Sequence, residues 1–113
     1  MNDRLTSEVE AGSIIRRAEV NGDFATVMRK GDPERGALLL IVASRGRHVV
    51  CLERVLTLEG GYRWQKAGPP ESADSRSVAE FLAKRARFDE DFWAIELDVA
   101  LPERFIAETT GIP

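Results

Sequence analysis

"ALLLIVA", Ala37–Ala43, is apolar at all seven positions. So uniform a run suits a strand buried on both faces, a pattern it shares with a segment of buried helix. Its length and the flanking clusters "ERG" (Glu34–Gly36) and "SRG" (Ser44–Gly46) favour the strand. An interior strand needs a sheet around it, and the adjoining sequence supplies one. Upstream, "FATVMR" (Phe24–Arg29) is a second strand, apolar on both sides. Between the two lies "KGDPERG" (Lys30–Gly36), which reads as a turn. Asp32 can accept a backbone N–H, Pro33 presets φ, and Gly36 tolerates positive φ. A bend that merely joins neighbouring strands should accept an unrelated tight turn at a cost of about 1 kcal/mol or less. Downstream, "RGR" (Arg45–Arg47) turns the chain into "HVVCLERVLTL" (His48–Leu58), where Glu53 and Arg54 interrupt the apolar pattern as a bulge or a solvent-facing patch. "EGG" (Glu59–Gly61) is a hairpin signal before "YRWQKA" (Tyr62–Ala67). Four strands joined by short turns make an antiparallel meander.

Helical periodicity brackets the strands. In "TSEVEAGSIIRRAEVNG", Ser7 and Glu10 have capping-box spacing, and Ala11, Ile14, Ile15 and Ala18 form one narrow stripe ending near Gly22. After the loop "AGPPESADS", Ser77 and Glu80 repeat the cap spacing, and Val78, Phe81, Leu82 and Phe88 face a core with Arg85 on the flank. "FWAIELDV" then alternates Trp93, Ile95, Leu97 and Val99 with Glu96 and Asp98, a strand with one wet face. The tail predicts a short helical turn at Glu103–Ala107, with residues 108–113 fraying. The expected fold is α+β: one domain over residues 1–113, in the order α-β-β-β-β-α-β. It is a two-layer sandwich in which an antiparallel sheet of about five strands carries two helices on one face. The other face of such a sheet needs a cover, and a second copy of the chain is the simplest one.

The totals exclude several classes. A chain of 113 residues buries roughly 65% of its unfolded surface and needs neither disulfide nor metal staple. One cysteine, Cys51, suits a reducing compartment, and "MNDRLTSEVE" lacks the apolar core of a signal peptide, so the expected location is cytoplasmic. The longest apolar run is far below the ~20 residues of a membrane span. Residues 1–88 carry 15 basic and 12 acidic side chains, and residues 89–113 carry 1 and 7, so no uniform basic field for nucleic acid exists. His48 and Cys51 sit at i, i+3 on a strand, which places them on opposite faces, and neither metal nor cofactor is expected. No phosphate-loop motif occurs.

The chemistry-bearing residues that remain fall into three groups. Arg17, Arg29, Lys30 and Arg35, with Asp32 beside them, either form structural ion pairs or frame an anion site. Asp91 and Glu96 are the carboxylates that acid–base hydrolysis would use, although acidic turns are a commoner reason for such residues. Tyr62 and Trp64 share a strand face, a platform that suits stacked bases but more commonly packs under a helix or against a second subunit, and Trp64 and Trp93 join the candidate partner-binding residues.

Taken in order, "RL" (Arg4-Leu5), "RRAE" (Arg16–Glu19), "VMRKGDPERGALLL" (Val27–Leu40), "YRW" (Tyr62–Trp64) and "FDEDFWAIEL" (Phe88–Leu97) resemble domain-of-unknown-function family 1491, short proteins of the alphaproteobacterial type. The resemblance implies a compact cytoplasmic α+β protein and brings no catalytic residues. Lys30 stands where the pattern has arginine, and Glu90 where it has proline. The leading expectation is a non-enzymatic protein-interaction module that forms a homodimer. The alternatives are a binder of a phosphorylated ligand or nucleic acid through the arginines, and a carboxylate hydrolase.

Overall fold

The computed structural model describes residues 5–112. Three helices and five strands follow in the order α1 (Ser7–Val20), β1 (Phe24–Arg29), β2 (Leu38–Ser44), β3 (Arg47–Leu56), β4 (Tyr62–Ala67), α2 (Ser75–Phe88), β5 (Trp93–Asp98) and α3 (Pro102–Thr110). The α+β class and the five strands are as the sequence predicts, and α3 extends the expected order by one helix. The tail is helical to Thr110, where Gly111 takes the left-handed conformation (φ 77°) that closes a helix.

The sheet differs from an antiparallel meander in one decisive place. Its spatial order is β1-β5-β2-β3-β4. The last strand inserts between the first two, antiparallel to β1 and parallel to β2. The meander survives as β2-β3-β4. β1 and β2 therefore stand two strand spacings apart, roughly 10 Å. Lys30–Gly36 is not a hairpin turn but a strap that crosses the entrance of β5.

Helices cover both faces of the sheet rather than one. On the first face, Ala11, Ile14 and Ala18 of α1 and Phe105 of α3 pack on Leu38, Leu40, Val42, Leu52, Trp93, Ile95 and Leu97. On the second, Val78, Phe81, Leu82 and Ala86 of α2 cover Leu39, Ile41, Cys51, Phe92 and Ala94. The alternation of β2 thus splits "LLLIV" between two cores, which is why every position in it is apolar. The face expected to await a partner is supplied by the chain itself, because the crossover from β4 to a strand parallel with β2 carries α2 over it.

Both helix starts lie upstream of the predicted caps. Thr6 caps α1, accepting from the Val9 N–H, and Ser7 is already helical and fully buried. Asp74 caps α2 by accepting from the Ser77 N–H at 2.8 Å. A bulge also resets β3: Val42 pairs with Val50 but Ala43 with His48, so Val49 is the extra residue. His48 and Cys51 consequently share the α2 face, contrary to the period-2 expectation. Burial there pushes the Cys51 thiol up to about 11.

Candidate functional site

The strap gathers several of the sequence-predicted residues. The Asp32 N–H donates to the Asp91 carbonyl at 2.9 Å, the Trp93 N–H to the Ala37 carbonyl at 2.7 Å, and the Trp93 indole to the Asp32 carbonyl at 2.8 Å. The Asp32 carboxylate folds back onto the N–H groups of Glu34 and Arg35, at 3.2 and 2.7 Å. Both glycines are required by closeness. A Cβ on Gly31 would lie 2.2 Å, and one on Gly36 2.1 Å, from the Asp91 carbonyl oxygen.

The strap also receives a helix. The free N–H groups of Ser7 and Glu8 at the start of α1 donate to the Glu34 and Pro33 carbonyls, at 3.1 and 2.8 Å. The Ser7 hydroxyl donates to the Gly36 carbonyl. Behind it, Arg54 is 2% exposed. Its guanidinium reaches the Leu5 carbonyl at 3.3 Å and the Ser7 hydroxyl at 3.4 Å, and lies 3.8 Å from the centre of the Tyr62 ring. Burial lowers its pKa, against the pull of Glu10 and Tyr62. Arg54 is thus no solvent-facing patch. Glu53 points to the other face, where its carboxylate pairs with Arg85 at 2.6 Å. Burial acts to lower the Arg85 pKa, but Glu53 and Asp89 outweigh it and raise the net value.

The four cations predicted as one site do not assemble. Arg17 donates to the Glu108 carbonyl (3.2 Å) and the Thr109 hydroxyl (3.1 Å) at the end of α3, where a cation opposes the free carbonyls. Arg17 sits ten residues along α1 from Ser7, about 15 Å from the strap. Arg29 donates to the Glu90 carbonyl at 2.8 Å and lies 4.7 Å from the centre of the Phe92 ring. Lys30 and Arg35 project into solvent. Asp91 offers its backbone to the strap and leaves its side chain exposed. Glu96 lies five residues further on, about 16 Å along extended chain, beside a cavity of about 190 Å³ also lined by Met28, His48 and Leu82. Trp64 is half-buried against the first core.

The surface that stands out is β1. As the outer strand of the sheet it has a free backbone edge, and Phe24, Val27 and Met28 are 75%, 43% and 52% exposed. A bulge between Val27 and Arg29 makes Met28 the unpaired residue of the strand. β4, the other edge, exposes Arg63, Gln65 and Lys66 instead.

A family model described as a protein of unknown function (DUF1491) matches residues 5–107, which spans the strap, all five strands and most of α3. The chain belongs to the DUF1491 family. Its fold is similar to the solution structure of a DUF1491 protein from Caulobacter crescentus CB15, with a TM-score of 0.74 and 29% identity over 90% of this chain and 92% of that one. A crystal structure of a DUF1491 protein from the same organism gives 0.73 and 29%, over 89% and 94%. The solution structure of a protein from A. tumefaciens gives 0.68 and 26%, over 85% and 86%. No functionally curated protein matches the chain. No helix among the described residues of this DUF1491 protein is long and apolar enough to cross a membrane.

Sequence reasoning missed Ser7, Glu53, Arg54 and Arg85 as the polar anchors of the two helices. The signal was present in β3. A strand paired on both sides and covered on both faces buries whatever its sequence places there, so the adjacent charges of "CLER" had to enter opposite cores.

Proposed function

We propose that this DUF1491 protein is a non-enzymatic protein-interaction module that acts as a homodimer joined along β1. The carrying observation is the contrast between the two edges of the sheet. Natural edge strands are blunted by charge, as β4 is by Arg63 and Lys66. From Phe24 to Met28, β1 carries no charge and exposes three large apolar side chains. A twofold partner adding its own β1 antiparallel would satisfy the free backbone groups and bury Phe24 and Val27 of both copies. The bulge at Met28 confines the pairing to Phe24–Val27. A reducing compartment such as the cytoplasm suits the design, since Cys51 is the sole thiol and is buried.

Light scattering at low micromolar concentration tests the reading. The wild type should weigh twice 12.6 kDa. The Phe24→Lys, Val27→Lys double variant, changed at two exposed positions, should weigh 12.6 kDa and unfold at the same urea concentration as a dilute wild type. A wild type that is monomeric under these conditions refutes the homodimer.

A further inference from the structure

A second concavity lies at the opposite side of the molecule, on the α3 face of the sheet beyond the reach of α1. It is an open cleft of about 680 Å³, in the size range of sites that take drug-sized ligands or short peptides. Three features show that it is built rather than left over. Its floor comes from the β3 bulge. Regular alternation would send Val49 and Val50 to opposite faces, but the extra residue puts both on the same side, half-buried and packed at the margin of the first core. Bulges re-aim side chains in this way beside functional sites.

Its rim is held rigidly. Gly68, at φ 74°, turns the chain away where β4 stops pairing with β3, and Pro69 and Pro70 then form a wall. Four hydrogen bonds fix that wall to the strand. His48 Nε2 meets the Pro69 carbonyl at 3.3 Å, the Ser72 N–H donates to the His48 carbonyl at 2.8 Å, and Arg47 donates to Glu71 and the Ser72 hydroxyl at 3.0 and 2.8 Å. The third feature is polarity. Glu71 is neutralised by Arg47, which leaves Lys66 on the β4 side and Glu103 on the α3 side, both exposed, with the apolar floor and Ile106 between them.

We infer that this cleft is a docking site for a peptide segment of another protein, apolar at its centre and carrying one basic and one acidic side chain at its ends. The apolar centre rests on the two valines and Ile106, the basic end meets Glu103, and the acidic end meets Lys66. Opposite charges on facing walls select a dipolar occupant over a purely anionic or cationic one, and the fixed rim spares the ordering cost that a mobile site would add to binding. The site lies across the sheet from β1, so it is independent of the homodimer.

The test is an amide NMR titration with three capped peptides, Lys-Leu-Val-Leu-Glu, Lys-Leu-Val-Leu-Lys and Glu-Leu-Val-Leu-Glu. The dipolar peptide should shift the amides of Val49, Val50 and Ile106 and bind about tenfold more tightly than the other two. Lys66→Glu, an exposed change that leaves the fold intact, should transfer that preference to the doubly basic peptide. Equal affinity for all three peptides, or shifts that avoid the floor, overturns the proposal. So does an equal response to decanoate, which would mark a site for any apolar acid. Movement of the same floor amides on dilution of the protein alone also overturns it, because a second copy would then be the occupant.

Discussion

α1 and α2 are both fourteen residues long, yet they are fastened to the sheet by different means. α1 buries Ser7, Ala11, Ile14 and Ala18, and its first N–H groups are received by backbone carbonyls of the strap. α2 has no fully buried residue. It rests on half-buried apolar side chains and on the ion pair of Arg85 with Glu53 and Asp89. One attachment is led by main-chain hydrogen bonds, with the Ser7 hydroxyl and the buried Arg54 guanidinium behind them. The other is made of side chains, and a single substitution can loosen it. Hence the first face should open together with the whole fold, and the second should open ahead of it.

The strongest way to break this contrast is to attack the backbone attachment. A two-residue turn in place of Gly31–Gly36 suits adjacent strands about 5 Å apart; even fully extended it barely reaches across the roughly 10 Å between β1 and β2 and has no slack to pass around the end of β5 between them. The tolerance expected of a simple bend is therefore reversed: that variant should lose its cooperative unfolding transition. The milder Gly36→Ala drives a Cβ to 2.1 Å from the Asp91 carbonyl oxygen, with backbone on both sides and nothing flexible to give way. It should cost on the order of 3 kcal/mol in urea unfolding. Lys30→Ala and Arg35→Ala, on the same strap but exposed, should change stability by less than about 0.5 kcal/mol.

The side-chain attachment is probed through Cys51, which lies beneath α2. With its pKa raised to about 11 by burial, the thiol should resist alkylation in the closed protein and react through opening of that face. Arg85→Ala strands a mostly buried Glu53 carboxylate. The pair is partly exposed, so the expected cost is about 2 kcal/mol rather than the 3–5 of a fully buried one. Alkylation of Cys51 should then speed up more than tenfold, while amide exchange in α1 continues to track global unfolding. If α1 amides and the Cys51 thiol accelerate together, the two faces open as one unit and the contrast fails.

Much of this architecture was legible because it follows from local rules. The period of "SIIRRA" and "VAEFLA" fixed the helices, the unbroken "LLLIV" with its flanking turn clusters favoured a strand covered on both faces, and "EGG" marked the β3-β4 turn. The position of β5 was not legible. Its alternation identifies a strand, but the choice between an edge and a slot beside β2 depends on contacts 55 residues apart, such as Leu38 with Trp93, which no local pattern encodes. That one unknown changed the meaning of "KGDPERG" from a hairpin to a strap. It also moved α2 to the second face, which removed the first reason for expecting a dimer and left the β1 edge as the present one. Bulges were hidden for the same reason. One extra residue at Val49 inverted the relation of His48 to Cys51 and set two valines side by side in the cleft. Among the predicted site residues, Asp32, Asp91 and Trp93 came together through their neighbourhood in the fold, but largely by backbone atoms and an indole, which residue-type reasoning about carboxylates does not foresee.

The smallest effect separating the two helices lies at their caps. α1 begins with the neutral hydroxyl of Thr6, and α2 with the carboxylate of Asp74. Hydrogen bonds from Ser77 hold the Asp74 carboxyl below its ordinary value of 3.8. A carboxyl whose pKa is depressed by folding stabilises the native state fully above the unfolded value and loses that contribution as pH falls through the folded one. The support that Asp74 lends α2 should therefore be complete above 3.8 and fade below it, whereas the Thr6 cap should not titrate. Asp74→Asn keeps an oxygen acceptor at the cap and removes the ionisation. Comparing wild type and Asp74→Asn by urea unfolding along the acid limb should give a stability difference that shrinks as pH drops. A difference that stays constant through the acid limb would mean that the α2 cap is as insensitive to pH as that of α1.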